Sequence, residues 1–360
     1  MASTIDLSPD ARFAPLSSAA SAPSPLDAKP PVPLDIRLPE PPTGVHVVPT
    51  SFDTTFQWDY RVQRPDLRSL YERSKDAMWN ARTDLPWDTN VDPEEETIPN
   101  QMSPLWGTPL WDKLDPKREI PKLRRLSSAW MLSNFLHGEQ GALLATSQIL
   151  SAVPSADAKF YAATQVMDEA RHVEAYDRYL REKIELTFPI SPHLHQLLDQ
   201  ILRESRWDMK YLGMQIMVEG LALAAFGFIQ QLSSEPLIKK ITLMIMQDEA
   251  RHVAFGVLAL KDIYKDMSSS ELAEREDFII ESSRLMRDRF LMQEVWEHMG
   301  MPVDECIAVA LRSESMRMFR NLLFSKIVPN VKRLGLMTPR VREAFIELDV
   351  IQFESWDASA

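Results

Sequence analysis

Asp168-Glu169-Ala170-Arg171-His172-Val173 returns further along the chain as Asp248-Glu249-Ala250-Arg251-His252-Val253. The stretches before the two copies carry an equally repeated charge anomaly. From Leu126 to Ala156 the only charged side chain is Glu139; from Tyr211 to Ser234 it is Glu219. The spacing from Glu139 to Glu169 equals that from Glu219 to Glu249, so Glu139, Glu169 and His172 map onto Glu219, Glu249 and His252 at one constant offset, the offset of the repeat itself. Helices uncharged all round are buried helices. A carboxylate in the middle of one is costly unless it is paired, protonated or bound to metal. Glu and His at i and i+3 project from one helix face, about one turn apart. Two antiparallel helix pairs then bring four carboxylates and two imidazoles to the centre of one four-helix bundle.

Four carboxylates and two neutral histidines carry a charge that two divalent cations balance. Oxygen-rich ligation with one imidazole per metal suits iron or manganese, and the lack of thiolates argues against structural zinc. A lone Glu-x-x-His on a helix is ordinarily a solvated or salt-bridged pair. Two copies, each preceded at equal spacing by a lone glutamate in a neutral helix, are far harder to reach by chance. The expected metal ligands are Glu139, Glu169, His172, Glu219, Glu249 and His252.

Outward from the repeat, helical periodicity runs over 121–152, 156–186, 192–232, 235–266, 270–298, 303–328 and 339–348, with no convincing β-alternation. Ser268 with Glu271 forms a capping box, and Thr338-Pro339 a cap and first turn. Residues 119–360 are therefore expected to be an all-α bundle, four central helices with others packed around them. Residues 51–118 hold five of the nine tryptophans. Pro65 opens one helix through Leu67, Leu70, Tyr71 and Met78, after which Pro86, Pro93, Pro99, Pro104 and Pro109 interrupt the pattern; this reads as an irregular wrap. Residues 1–50 contain 11 of the 26 prolines and read as an arm, disordered or extended over the surface. Asp6, Asp10 and Arg12 interrupt any signal-peptide core.

The composition suits this reading. The 360 residues are 45% hydrophobic and 26% charged, enough for a large core. A formal charge of −12 argues against nucleic acid as a partner. The single cysteine, Cys306, excludes an internal disulfide framework and suits a reducing, cytoplasmic compartment. The charge-free stretches are expected to fall short of the strongly apolar run that a membrane span requires.

The lone glutamates and the two Glu-x-x-His pairs resemble the ligand pattern of ferritin-like di-iron and di-manganese carboxylate proteins, over about 120–330. Within that superfamily the doubled Asp-Glu-x-Arg-His is most similar to the hydroxylase subunits of bacterial multicomponent monooxygenases. The resemblance implies that Asp168 orients His252 and Asp248 orients His172, with Arg171 and Arg251 as outer partners. A ligating histidine needs such an acceptor in any case, to fix its tautomer. The sequence also departs from its relatives. Leu223 stands where the monooxygenases carry a threonine. Ile245 stands where aminobenzoate N-oxygenases carry a third histidine, which counts against that kinship. Tyr176, on the same helix face as Glu169, occupies the offset of the radical tyrosine in small subunits of ribonucleotide reductase; it is a radical or hydrogen-bonding candidate, and its repeat-mate is Gly256.

Five of the ten glycines (Gly138, Gly141, Gly213, Gly220, Gly227) sit on the two lone-glutamate helices, each costing about 1 kcal/mol relative to alanine. Tight packing explains them as well as a cavity does. If a cavity, Phe135, Gly138, Ala142, Gly220, Leu223 and Phe226 are its expected walls, with Met131, Met217 and Phe228 nearby. The implied activity is a di-iron oxygenase, Fe/Fe or Mn/Fe, that uses dioxygen to hydroxylate, desaturate or N-oxygenate a small organic substrate. Glu219, with glycine beside it, is the candidate mobile carboxylate. No dinucleotide or P-loop motif is visible, so electrons must come from a ferredoxin or reductase partner; a homodimer fits the class. The alternatives are a radical-generating or ligand-binding oxidase like the reductase small subunit, and, less well suited, iron oxidation and storage.

Overall fold

The computed structural model describes residues 33, 34, 36 and 44–356, so most of the expected arm at 1–50 lies outside the described residues. Within them, Leu34 and Ile36 pack on the core, and the backbone N–H of Leu34 donates to Asp288 Oδ2 at 2.8 Å.

Among the described residues there is no strand. Helix α1 (Pro65–Asp76) and the single turn α2 (Pro109–Asp112) precede the long elements: α3 (Glu119–Ala152), α4 (Ala156–Tyr179) and the shorter α5 (Pro192–Arg203). A composite follows, made of α6 (Trp207–Tyr211), a π-helical stretch (Leu212–Val218) and α7 (Glu219–Leu232), and then α8 (Pro236–Leu260). Helices α3, α4, α8 and the composite form a ferritin-like four-helix bundle. Helix α3 packs along α4, α7 along α8, and α1 lies across α4 and α8. Helices α9 (Ser269–Asp288), α10 (Gln293–Met299), α11 (Val303–Arg312), α12 (Glu314–Phe324), α13 (Ile327–Arg333) and α14 (Pro339–Glu347) wrap the outside.

Short, well-capped connections make the central pairs antiparallel. Val153 turns extended ahead of Pro154, as residues before proline must, and Ser155 Oγ accepts the N–H of Ala158. In the second hairpin Glu235 caps α8, accepting from Leu237 N at 2.6 Å and Ile238 N at 2.7 Å, with Pro236 in the first turn. The box at Ser268 and Glu271 and the cap at Thr338 form as the sequence suggests.

Three of the long predicted helices are broken. The span 192–232 stops at Arg203 and restarts at Trp207, because the buried Lys210 ammonium donates to the terminal carbonyls of Ile201 at 3.2 Å and Leu202 at 3.1 Å. The span 270–298 breaks at Met292, which is left-handed at φ 59°. The span 303–328 divides at Ser313 and again after Phe324. One further expectation is corrected. Trp207–Leu232 is long and apolar enough to cross a membrane, with a mean hydropathy of 1.7, but 83% of that window is buried inside the protein. It is a core helix, and its apolarity is the inward-facing kind.

Candidate metal centre

Glu139 from the middle of α3, Glu169 and His172 from α4, Glu219 from the start of α7, and Glu249 and His252 from α8 meet between the helices, none more than 5% exposed. Nδ1 of His172 lies 3.2 Å from Glu139 Oε2, 3.4 Å from Glu169 Oε2 and 3.3 Å from Glu249 Oε1. Nδ1 of His252 lies 3.1 Å from Glu169 Oε1 and 3.5 Å from Glu249 Oε2. Two clusters of donor atoms result, each within 4.8 Å: Glu139, Glu169, His172 and Glu249 in one, Glu169, Glu219 and His252 in the other. Glu169 belongs to both, and Glu249 faces both imidazoles. Oε2 of Glu169, Glu219 and Glu249 and Nδ1 of His252 are buried without a hydrogen-bond partner. A cation at each point would satisfy these atoms, so the donor set fits a pair of metal ions.

The imidazoles sharpen this argument. Nε2 of His172 faces Asp248 Oδ2 at 3.1 Å, and Nε2 of His252 faces Asp168 Oδ2 at 3.2 Å. A neutral histidine has one N–H; donated to aspartate, it leaves the Nδ1 lone pair aimed at carboxylates. Either a proton or a cation must stand there. Burial opposes a charge on both rings, yet Glu139 at His172 and Glu169 at His252 raise their proton affinity well above the ordinary value. Burial pushes the Glu139 carboxyl up to about 8. It also lifts Glu219 well above its ordinary range, with the charge of Glu249 adding to the effect. For Glu169 burial acts the same way, but His252 and His172 outweigh it and hold the carboxyl below its usual range.

Around this centre Arg171 Nη2 bonds both Asp168 Oδ1 and, at 3.2 Å, Asp248 Oδ2, while Arg251 Nη2 bonds Asp248 Oδ1. All four are buried, so none forms a surface ion pair. Three further residues, none of them singled out in the sequence, join the network. Trp79 Nε1 donates to Asp248 Oδ2 at 2.7 Å, and Ser74 Oγ approaches Asp168 Oδ2 at 3.5 Å. Gln165 Nε2 donates to Glu219 Oε1 at 2.8 Å and Glu169 Oε1 at 3.1 Å. Its position one turn before Glu169, on the same face, was the one available hint.

Phe135, Gly138, Ala142 and Phe226 line a cavity of about 20 Å³ whose walls include Glu139, Glu219 and Glu249, room for roughly one water. Gly220 and Leu223 are not on it. The turn of α7 places Val218, Glu219, Leu221, Ala222 and Phe226 toward the cavity and rotates those two away; a Cβ at Gly220 would instead meet Ile327 at 3.3 Å. The glycines divide accordingly. A Cβ at Gly141 or Gly213 would strike Leu198 at 2.6 Å or Ile201 at 2.7 Å, whereas one at Gly138 would meet nothing within 4 Å. Met131 and Phe228 line a second, larger apolar cavity with Trp111, Trp130 and Phe290. Tyr176 is fully buried against Phe135 and Phe226, its hydroxyl unpartnered. Burial and the charge of Glu139 raise its proton affinity.

The family described as p-aminobenzoate N-oxygenase AurF matches residues 63–335. The chain belongs to that family. Membership in the AurF family makes it a non-haem di-iron oxidoreductase, an oxygenase or oxidase of the ferritin-like superfamily, and implies a small-molecule substrate. The superfamily resemblance stands, and within it the chain falls with the N-oxygenases although Ile245 pointed away from them. Ile245 is fully buried and apolar; its repeat-mate is Gln165, the polar residue that does reach the glutamates. Among solved structures, an R2-like ligand-binding oxidase with aerobically reconstituted metal cofactor after photoconversion is similar at 14% identity and TM-score 0.45, covering 74% of this chain and 93% of its own. A point variant of such an oxidase with anaerobically reconstituted Mn/Fe cofactor is similar at 16% identity, TM-score 0.45 and the same coverage. No curated protein matches the chain.

Proposed function

We propose that this chain oxidises the nitrogen of a small aryl amine with dioxygen, at two iron ions held by Glu139, Glu169, His172, Glu219, Glu249 and His252. The observation that carries the reading is the convergence of those six buried side chains with carboxylate oxygens left over, and the family's described substrate supports an amine. Glu139, Glu169, His172 and Glu249 would hold one ion, and Glu169, Glu219 and His252 the other. Asp248 and Asp168 hold the imidazoles in the tautomer that leaves Nδ1 free to ligate, and Arg171 and Arg251 hold those aspartates in place. Glu219, the candidate mobile carboxylate, is tethered by Gln165. The apolar walls at Phe135, Ala142 and Phe226 keep bulk water from the reacting centre. Iron held by these residues would supply the redox chemistry for oxygen transfer to nitrogen.

Conversion of an amine to a hydroxylamine inserts one oxygen atom, releases the other as water, and consumes two electrons and two protons. No flavin or nicotinamide motif in this chain supplies them, so a ferredoxin or reductase is the proposed donor, with a cytoplasmic setting and a homodimer as the proposed context. Mn/Fe is the alternative metal pair. A radical-generating reading has one observation in its favour, the orphaned Tyr176 hydroxyl; a tyrosyl EPR signal lost in Tyr176→Phe would carry it.

The test loads the apo-protein anaerobically with Fe(II), adds 4-aminobenzoate and a chemical reductant, and mixes with ¹⁸O-labelled dioxygen. Mössbauer spectra and product mass are read against a Glu169→Ala control. Two irons per chain, a diferric product and label on nitrogen are expected. Wild type behaving as the control does would overturn the proposal, and label on a ring carbon would replace N-oxygenation by hydroxylation.

A further inference from the structure

Tyr161, Gln165 and Glu169 stand about one turn apart on α4, and Tyr211, Gln215 and Glu219 repeat that spacing along the composite helix. Tyr161 and Gln165 precede Glu169, whereas Tyr176, packed against Phe135 and Phe226 beside the cavity, follows it. The two sets therefore lie on opposite sides of the metal centre. Tyr161, Gln165, Tyr211 and Gln215 are fully buried, and the two phenol rings flank Phe255 at 4.4 and 5.0 Å between centroids. Among the described residues, neither phenol hydroxyl has a hydrogen-bond partner, nor has Oε1 of Gln165 or either amide atom of Gln215. Toward the centre, burial raises the proton affinity of Tyr161 and the charge of His252 opposes the rise. Toward the surface, burial does the same to Tyr211 and the charge of Arg64 opposes it. Arg64 Nη2 donates to Asp66 Oδ2 at 2.8 Å, and these side chains are 35% and 33% exposed.

A buried polar atom without a partner costs about 1–3 kcal/mol, and phenylalanine would pack against Phe255 without that cost. Bound metal does not remove it. Both tyrosines stand two turns from the glutamates, and helical side chains lean toward the N-terminus, here away from the metals. Internal water does remove it, since a buried water makes about three hydrogen bonds to such groups. The proposed oxidation also consumes two protons, at a centre whose other side is walled by Phe135, Ala142 and Phe226. We propose that Tyr211 and Tyr161, bridged by internal water, carry protons from solvent at Arg64 and Asp66 to Glu219, with Gln165 Oε1 orienting the last water. The inference rests on the preceding reading for the fate of those protons. In each transfer one O–H bond forms as the next breaks, and no electron moves. The two protons taken from solvent leave with the oxygen atom released as water.

The test uses the full chain and three readouts. A high-resolution crystal structure of the metal-free protein should show ordered water bridging the hydroxyls of Tyr161 and Tyr211 and Oε1 of Gln165. Tyr161→Phe and Tyr211→Phe, melted without metal, should each fall below wild type by about 2 °C, because a satisfied hydrogen bond is lost. With iron loaded, each variant should lower kcat for amine oxidation by roughly tenfold or more. KM and iron content should stay as in wild type, and the solvent deuterium isotope effect should rise. Dry packing among these side chains, a phenylalanine variant as stable as wild type, or an unchanged kcat and isotope effect would overturn the proposal. The first two readouts need no turnover, so a wild type that oxidises no amine would count against the preceding reading alone.

Discussion

Replacing Glu139 by glutamine tests whether the protons of the metal-free centre stand where cations belong. The exchange keeps the shape of the side chain and removes one titrating group. Burial pushes the Glu139 carboxyl from 4.5 up to about 8 in the folded chain. Between those values the folded state holds a proton that the unfolded state has lost, so this group makes stability fall as pH rises, by up to about 1.4 kcal/mol per pH unit. Across pH 5 to 8 the total is on the order of 4 kcal/mol. Glu169 and Asp248, held below the ordinary range, stay ionised throughout that window and add no slope. Glu219 and His252, shifted upward like Glu139, remain in both proteins, while His172 loses in the variant the upward shift that Glu139 supplies, which changes the pH dependence in the same direction. Metal-free wild type and Glu139→Gln are melted at each pH. An unfolding entropy of roughly 2 cal/mol/K per residue makes 4 kcal/mol worth about 6 °C in a chain of this size. The variant should gain about that much on wild type between pH 5 and pH 8. Two equivalents of Mn(II) should reverse the order at pH 8, with release of protons into a weakly buffered solution. Parallel melting profiles, or metal uptake without proton release, would refute the reasoning.

Three further substitutions probe the surroundings. Gln165→Leu removes the donor to Glu219 and Glu169 and should cost about 1–3 kcal/mol in the metal-free protein. In an anaerobic Fe(II) titration it should weaken the second equivalent more than the first; equal weakening would disconnect Gln165 from Glu219. Trp79→Phe removes the Nε1 bond to Asp248 and should cost about 1–2 kcal/mol by urea denaturation while two metals per chain are retained; loss of metal would show that the indole does more than hold Asp248. Gly256→Ala places a Cβ 2.6 Å from Gln215 Cβ, on the π-helical stretch leading into Glu219. It should cost about 1–3 kcal/mol and speed amide exchange over 212–218, and an unchanged exchange pattern would count against that coupling.

Much of the architecture was legible because burial leaves a charge signature. Two neutral helices, each with one carboxylate, and two matching hexapeptides locate the bundle and the residues that meet at its centre. The breaks at Glu204–Arg206 and at Met292 were not legible, because they depend on a lysine reaching back across a loop and on a single left-handed residue. Trp79 was also invisible. It lies far along the chain from the hexapeptides, and its part is set only when the segment after α1 docks on the bundle. Ile245 shows the reverse hazard. One residue read against a pattern pointed away from the family, while the polar side chain that reaches the glutamates sits at the equivalent position in the other repeat.

Asp168 serves His252 and Asp248 serves His172, so each hairpin supplies the other's support and neither is complete alone. The correspondence is not exact: Gln165 stands opposite Ile245 and Tyr176 opposite Gly256. A centre whose ligands repeat in pairs therefore presents two unlike flanks to whatever enters it.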